Sequence, residues 1–110
     1  MGRSPSYRSL LILSSLADAD RHGYAIKKDV HERSGGEVAL GSTTLYRLLG
    51  QLLDEGLIEE ARTRPAPQLD DERRRYFHLT AAGKRALVAE RRRLERVLLA
   101  VRPALAPRGR

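Results

Sequence analysis

Arg47 and Gln51 stand four residues apart, with Thr43 and Thr44 one turn before them and Ser42 and Tyr46 alongside. A guanidinium carries paired donors that match O6 and N7 of guanine, and a carboxamide matches N6 and N7 of adenine. Threonine reaches a thymine methyl or a phosphate, and the hydroxyls of Ser42 and Tyr46 suit phosphate oxygens. Such groups read a duplex only if one rigid element presents them together. The same stretch carries Leu45, Leu48, Leu49 and Leu52 at helical spacing, which predicts a helix opened by Ser42 as N-cap and closed by Gly56. The leucines then face a core, while Thr43, Tyr46, Arg47, Gly50, Gln51 and Asp54 lie opposite. Surface charges usually need no function, so Arg47 and Gln51 also fit a plain solvated face, and Tyr46 a core or interface position. Gly50 costs roughly 1 kcal/mol in a helix interior relative to Ala, which is consistent either with close approach of DNA or with tight helix packing.

A second cationic group follows. Residues 57–64 and 74–79 have the character of strands, joined by the loop 65–72 with Pro65 and Pro67, and the hairpin carries Arg62, Arg64, Arg73, Arg74 and Arg75. Five cations on a hairpin beside a groove-reading helix would neutralise several phosphates. Asp70, Asp71 and Glu72 offer the competing arrangement, a loop that neutralises its own arginines. The whole chain has 21 Lys and Arg against 14 Asp and Glu, a net charge of +7, so polyanions are the favoured partners at neutral pH.

The elements that must position these groups are helical. Ser4 and Pro5 predict the start of a first helix through Tyr7, Leu10, Leu11, Ile12, Leu13 and Leu16. Its apolar residues cover more than one face, one for its own domain and one, including Leu10 and Leu13, for a second subunit. Gly23 opens a second helix with Ile26 and Val30 four apart, and Ser34-Gly35-Gly36 ends it. Thr80 caps a last helix running to about Val101, in which Leu87, Leu94 and Val101 recur every seven residues and Val97 and Leu98 add a second line. That pattern is expected to be a dimer seam, although Glu90 and Arg91 interrupt it and packing on its own domain is the alternative.

Other chemistries find little support. The chain has no Cys, hence no disulfide, thiolate zinc site or thiol nucleophile. His22, His31 and His78 are scattered without second ligands at metal spacing, so no metal or other cofactor is expected. Tyr46 as a lone nucleophile lacks a recognisable base, so no enzyme is expected. The longest apolar run is Val97 to Val101, far below the roughly 20 residues of a membrane span, and Ser14 and Ser15 interrupt the only stretch that mimics a signal peptide. A cytoplasmic location is the expectation.

Four short motifs occur in order: His22-Gly23-Tyr24-Ala25-Ile26, Thr44-Leu45-Tyr46, Asp54-Glu55-Gly56-Leu57-Ile58, and Arg75-Tyr76-Phe77-His78-Leu79-Thr80-Ala81-Ala82-Gly83. Together they resemble the PadR family of transcriptional regulators, in the smaller subfamily with one C-terminal helix. The resemblance implies a homodimer that binds a pseudo-palindromic operator and usually represses, with much of the dimer contact from the last helix. Some similar proteins sense small molecules, some through an aromatic cage at the dimer interface. This chain has no Trp, which leaves Tyr7 or the apolar seam for an unidentified effector. Arg47 stands where the family often has proline, and the acidic wing tip departs from the pattern.

The expected fold is mainly α with a small β-hairpin, a winged helix-turn-helix domain over 4–80, a C-terminal dimerisation helix over 81–101, and a disordered tail over 102–110. The expected function is sequence-specific binding of double-stranded DNA. Thr43, Thr44, Arg47 and Gln51 would read bases. Ser42, Tyr46 and the five hairpin arginines would hold the backbone, and Leu10, Leu13, Leu87, Leu94, Val97, Leu98 and Val101 would pair the subunits. A winged-helix module for protein interaction, or for nonspecific chromosomal DNA, is the alternative.

Overall fold

A computed structural model describes residues 4–61 and 75–105, the last four by backbone alone. The order is α1 (Tyr7–Asp18), β1 (Arg21–His22), α2 (Gly23–Arg33), α3 (Ser42–Asp54), β2 (Ile58–Glu60), β3 (Tyr76–Leu79) and α4 (Ala81–Leu105). The strands form one antiparallel sheet in the order β1-β3-β2. Phe77 lies between Arg21 and Glu60 across the sheet, and Ile58 pairs with Leu79. The expected two-stranded hairpin is therefore a three-stranded wing sheet, and β1, at two residues, is too short to show a period. Arg62, Arg64, Arg73, Arg74, the loop 65–72 and the tail 106–110 lie outside the described residues.

Ser6, not Ser4, caps α1. Its extended backbone turns Oγ to accept from the Ser9 amide at 3.2 Å, leaving Pro5 before the helix. His22 caps α2 in the same way, with Nδ1 accepting from the Ala25 amide at 3.2 Å. Gly41 takes the cap position of α3 without a side-chain bond, and Ser42 becomes the first helical residue. At the end of α2, Gly35 and Gly36 adopt φ of 65° and 86°, conformations that glycine tolerates without strain. Ser34 Oγ then accepts from the Val38 amide at 2.9 Å, turning the chain back so that Val38 and Leu40 enter the core.

The core unites Ile12, Leu13 and Leu16 of α1, Ile26 and Val30 of α2, the four buried leucines of α3, and Ile58 and Phe77 of the sheet. Burying each such side chain contributes roughly 1.5–3 kcal/mol. Leu13 is 0% exposed here, which corrects its expected place at a subunit interface: its face of α1 is already occupied by the chain's own core. Leu87 likewise packs, partly buried, against that core. Leu10 is half-buried.

Charged groups lock the end of α1 to α2. Arg33 bonds Asp29 at 2.5 Å within α2, reaches back to Asp18, and donates to Ser14 Oγ at 3.3 Å. Burial alone would raise the Asp29 pKa, but the Arg33 hydrogen bond and the nearby Arg21 and Arg33 charges outweigh it and hold the carboxyl below its ordinary range. On α4, Glu90 faces inward at 5% exposure and is satisfied by Arg93 at 2.8 and 2.5 Å, which keeps its carboxyl below the usual range. That pairing explains how a carboxylate interrupts the apolar line of α4.

The helix α4 extends to Leu105, past the expected end at Val101, with Pro103 in its last turn. A proline there has no amide to donate to the carbonyl four residues earlier, so the last turn lacks that bond. Among the described residues no helix is long and apolar enough to cross a membrane, and no group of three or more His, Cys, Asp or Glu is placed to hold a metal ion.

Candidate nucleic-acid interface

The leucine stripe anchors α3. Leu45, Leu48, Leu49 and Leu52 are all buried, so rotation about the helix axis is fixed and the opposite face is turned to solvent. Thr43, Tyr46, Arg47 and Gln51 are exposed on that face, Ser42 is exposed at its start, and Thr44 is half-buried. A helix with side chains is about 10–12 Å across and fits the major groove of B-DNA. A Cβ on Gly50 would meet nothing within 4 Å, so packing within this chain does not account for the glycine.

The exit from α3 is built as tightly as its flank. Gly56 takes φ of 73°, and the Leu57 amide donates back to Leu52 O at 3.0 Å. Thr80 joins this turn to α4 through three bonds. Its hydroxyl donates to Gly56 O at 2.7 Å and accepts from the Gly83 amide at 3.0 Å, and its own amide donates to Leu57 O at 3.1 Å. The end of the exposed helix and the start of α4 are thereby one joint.

Tyr46 is 52% exposed, so it is not a core residue, yet one edge of its ring lies over the start of α2 beside Gly23. Tyr24 is also exposed, and its ring stacks with His22 at 6.5 Å between centroids. Tyr76 meets His22 edge-on at 5.2 Å. This aromatic cluster at the entrance to α2 was not foreseen in the sequence beyond Tyr46. The signal for it is the run His22-Gly23-Tyr24, whose two rings flank a residue without a side chain.

Of the hairpin arginines only Arg75 is described. Its guanidinium bonds Glu60 Oε2 at 3.2 Å and stands 5.2 Å above the Phe77 ring, with 52% of its side chain exposed. Arg75 thus pairs across the sheet with Glu60, where the sequence offered Asp70, Asp71 and Glu72 as partners. His78 bonds Asp20 at 2.7 Å, and His31 bonds the Val38 carbonyl at 3.2 Å, so each holds two segments of the fold together. At the far end of the molecule the outer half of α4 carries Leu94, Val97, Leu98 and Val101 exposed, and Tyr7 is exposed at the start of α1.

The model of the transcriptional regulator PadR-like family matches residues 12–89. Among solved structures, the chain is similar to a PadR family transcription regulator from Clostridium difficile, at 30% identity and a TM-score of 0.77 over 92% of this chain and 100% of that one. It is similar to RosR of H. salinarum at 26% identity and a TM-score of 0.63, over 94% and 98% of the two chains. A PadR-like transcriptional regulator from Bacillus cereus shares the fold, with a TM-score of 0.75 at 22% identity over 91% and 92%. Among curated proteins, an uncharacterized 37.1 kDa protein in a Streptomyces fradiae transposon is 35% identical over 88 residues, 80% of this chain. The chain spans 23% of the length of that relative.

Proposed function

Because the chain belongs to the transcriptional regulator PadR-like family, we propose that it is a sequence-specific DNA-binding regulator that acts as a homodimer on a pseudo-palindromic operator and represses transcription. The carrying observation is the solvent-facing side of α3, where Thr43, Arg47 and Gln51 project opposite four buried leucines. Arg47 takes a guanine bidentately, Gln51 an adenine, and Thr43 and Thr44 a thymine methyl or phosphate. Ser42, Tyr46, Arg75 and the other hairpin arginines bind the sugar–phosphate backbone and fix the register of α3 in the groove. Arg75 contacts a phosphate while keeping its stack on Phe77, which supports the guanidinium from below.

The exposed apolar face of outer α4 supports the homodimer. Gly83 and Glu90 are buried and Leu87 is half-buried along one side of the helix, and Leu94, Val97, Leu98 and Val101 continue that side beyond the domain. Pairing these residues with their copies would bury them and set two α3 helices in successive major grooves, about 10–10.5 base pairs apart.

The test is Arg47→Ala in a gel-shift on the DNA upstream of the gene. A bidentate guanine contact is worth about 1–3 kcal/mol for each half-site, so the specific complex should weaken at least tenfold while the circular dichroism spectrum stays unchanged. Unchanged binding removes Arg47 from base reading. Binding that is equal on all sequences and steeply salt-dependent would favour a nonspecific chromosomal module instead.

A further inference from the structure

We propose that Gly23 is a positioning residue for Tyr46: the missing side chain at the start of α2 is what lets the tyrosine hydroxyl stand where it can meet a DNA phosphate. The inference rests on the DNA-binding reading above and adds a residue to it that has no side chain to offer DNA.

A Cβ on Gly23 would lie 2.4 Å from Tyr46 Oη and 3.0 Å from Cζ, with Leu45 Cδ2 next at 3.6 Å. The first distance is shorter than non-bonded atoms tolerate, so alanine at 23 and this position of the tyrosine exclude each other. The backbone does not explain the glycine. Positive φ is confined, among the described residues, to Gly35, Gly36 and Gly56. Within a helix glycine is disfavoured relative to alanine. What position 23 supplies is therefore space, and the atom filling that space is a phenolic oxygen from α3.

The ring yields by moving away from α2. Its phenolic end stands against Gly23, and the buried Leu45 lies 3.6 Å from the same point. Tyr46 is 52% exposed, so a methyl at 23 turns the ring toward solvent and leaves the core in place. The hydroxyl then leaves the position that Gly23 reserves for it, and a hydrogen bond to phosphate depends steeply on distance and angle.

The experiment uses Gly23→Ala, Tyr46→Phe and the double variant in the full chain. Tyr46 ring resonances are followed by NMR without DNA, and affinity is measured on an operator duplex selected with the wild-type protein. Gly23→Ala should shift the Tyr46 ring signals and weaken binding about tenfold, as Tyr46→Phe does through loss of the hydroxyl. The double variant should bind no worse than Tyr46→Phe alone, because the methyl acts only through the oxygen already removed. Unmoved ring signals in Gly23→Ala, or losses that add in full, would overturn the proposal. If Gly23→Ala lowers stability, Tyr46→Ala in the same chain should restore it by vacating the space, and failure to restore it also counts against the proposal. A wild-type protein without sequence-specific binding would overturn the regulator reading and the phosphate role together, whereas the ring signals report separately on placement.

Discussion

Gly83→Ala is expected to destabilise the chain by about 3 kcal/mol, lowering the thermal midpoint by roughly 12–24 °C. A Cβ there would stand 2.0 Å from the Leu57 carbonyl oxygen, 3.0 Å from its carbon and 2.6 Å from Leu79 Cδ1. The leucine side chain can rotate away, but the carbonyl cannot. Leu57 O accepts from the Thr80 amide, and the adjoining Gly56 O accepts from the Thr80 hydroxyl. Making room for one methyl means lifting α4 off the turn that ends α3, which breaks these bonds and exposes part of the core near Ile58. Gly50→Ala is the matched control. With nothing within 4 Å of its Cβ, it should be neutral or stabilise by up to about 1 kcal/mol through helix propensity. Thermal melts followed by circular dichroism decide it. A Gly83→Ala midpoint within a few degrees of the wild type would mean that α4 does not seat on Leu57 as described.

The second large effect concerns assembly. Leu94→Asp with Leu98→Asp should leave the domain folded, since Leu98 is 67% exposed and Leu94 lies beside it at the surface, but should yield a monomer in sedimentation. Carboxylates placed on the proposed seam would be desolvated against their own copies, and charges without partners are strongly disfavoured there. Losing the partner turns two linked contacts with DNA into one, which forfeits roughly 10²–10⁴ in affinity for a duplex holding both half-sites. A single half-site should be bound by the variant and the wild-type monomer alike. Leu87 makes the contrast, because it packs on the core of its own chain and its truncation should reduce stability first. A double aspartate variant that remains dimeric would place the subunit contact elsewhere.

The elements legible in the sequence were those written in local periodicity and in single residues with one conformational use. The leucine stripe of α3, Gly35 and Gly36 after α2, Gly56 after α3 and Thr80 before α4 stand where their chemistry predicts. Elements decided by partners distant in sequence were not legible. Arg21 and His22 form a strand because β3 passes beside them, 54 residues on for the pair His22 and Tyr76 by residue number, and nothing in two residues reveals that. α1 is apolar on two sides, and spacing alone does not say which side meets the home core, so the expected subunit face of Leu13 is in fact its core face. Ser4 and Ser6 are equivalent as caps until the Ser9 amide selects the second.

At the candidate site, the exposed row on α3 followed directly from its buried row, because a helix fixes one when it fixes the other. The contact of Tyr46 with Gly23 did not, since it depends on how α2 and α3 cross. The pairing of Arg75 with Glu60 was hidden for a related reason. Their proximity comes from the register that sets Glu60 opposite Phe77, whereas the sequence places Asp71 and Glu72 nearer along the chain.

Selection of bound duplexes from random DNA, using the wild-type full chain, reports sequence, symmetry and spacing in one measurement. Two inverted half-sites with centres about 10–10.5 base pairs apart, or a multiple of that, are expected, with a guanine among the positions most strongly retained. Recovery of no preferred sequence, or of a single site without inverted symmetry, would contradict a paired protein that reads DNA through the exposed face of α3.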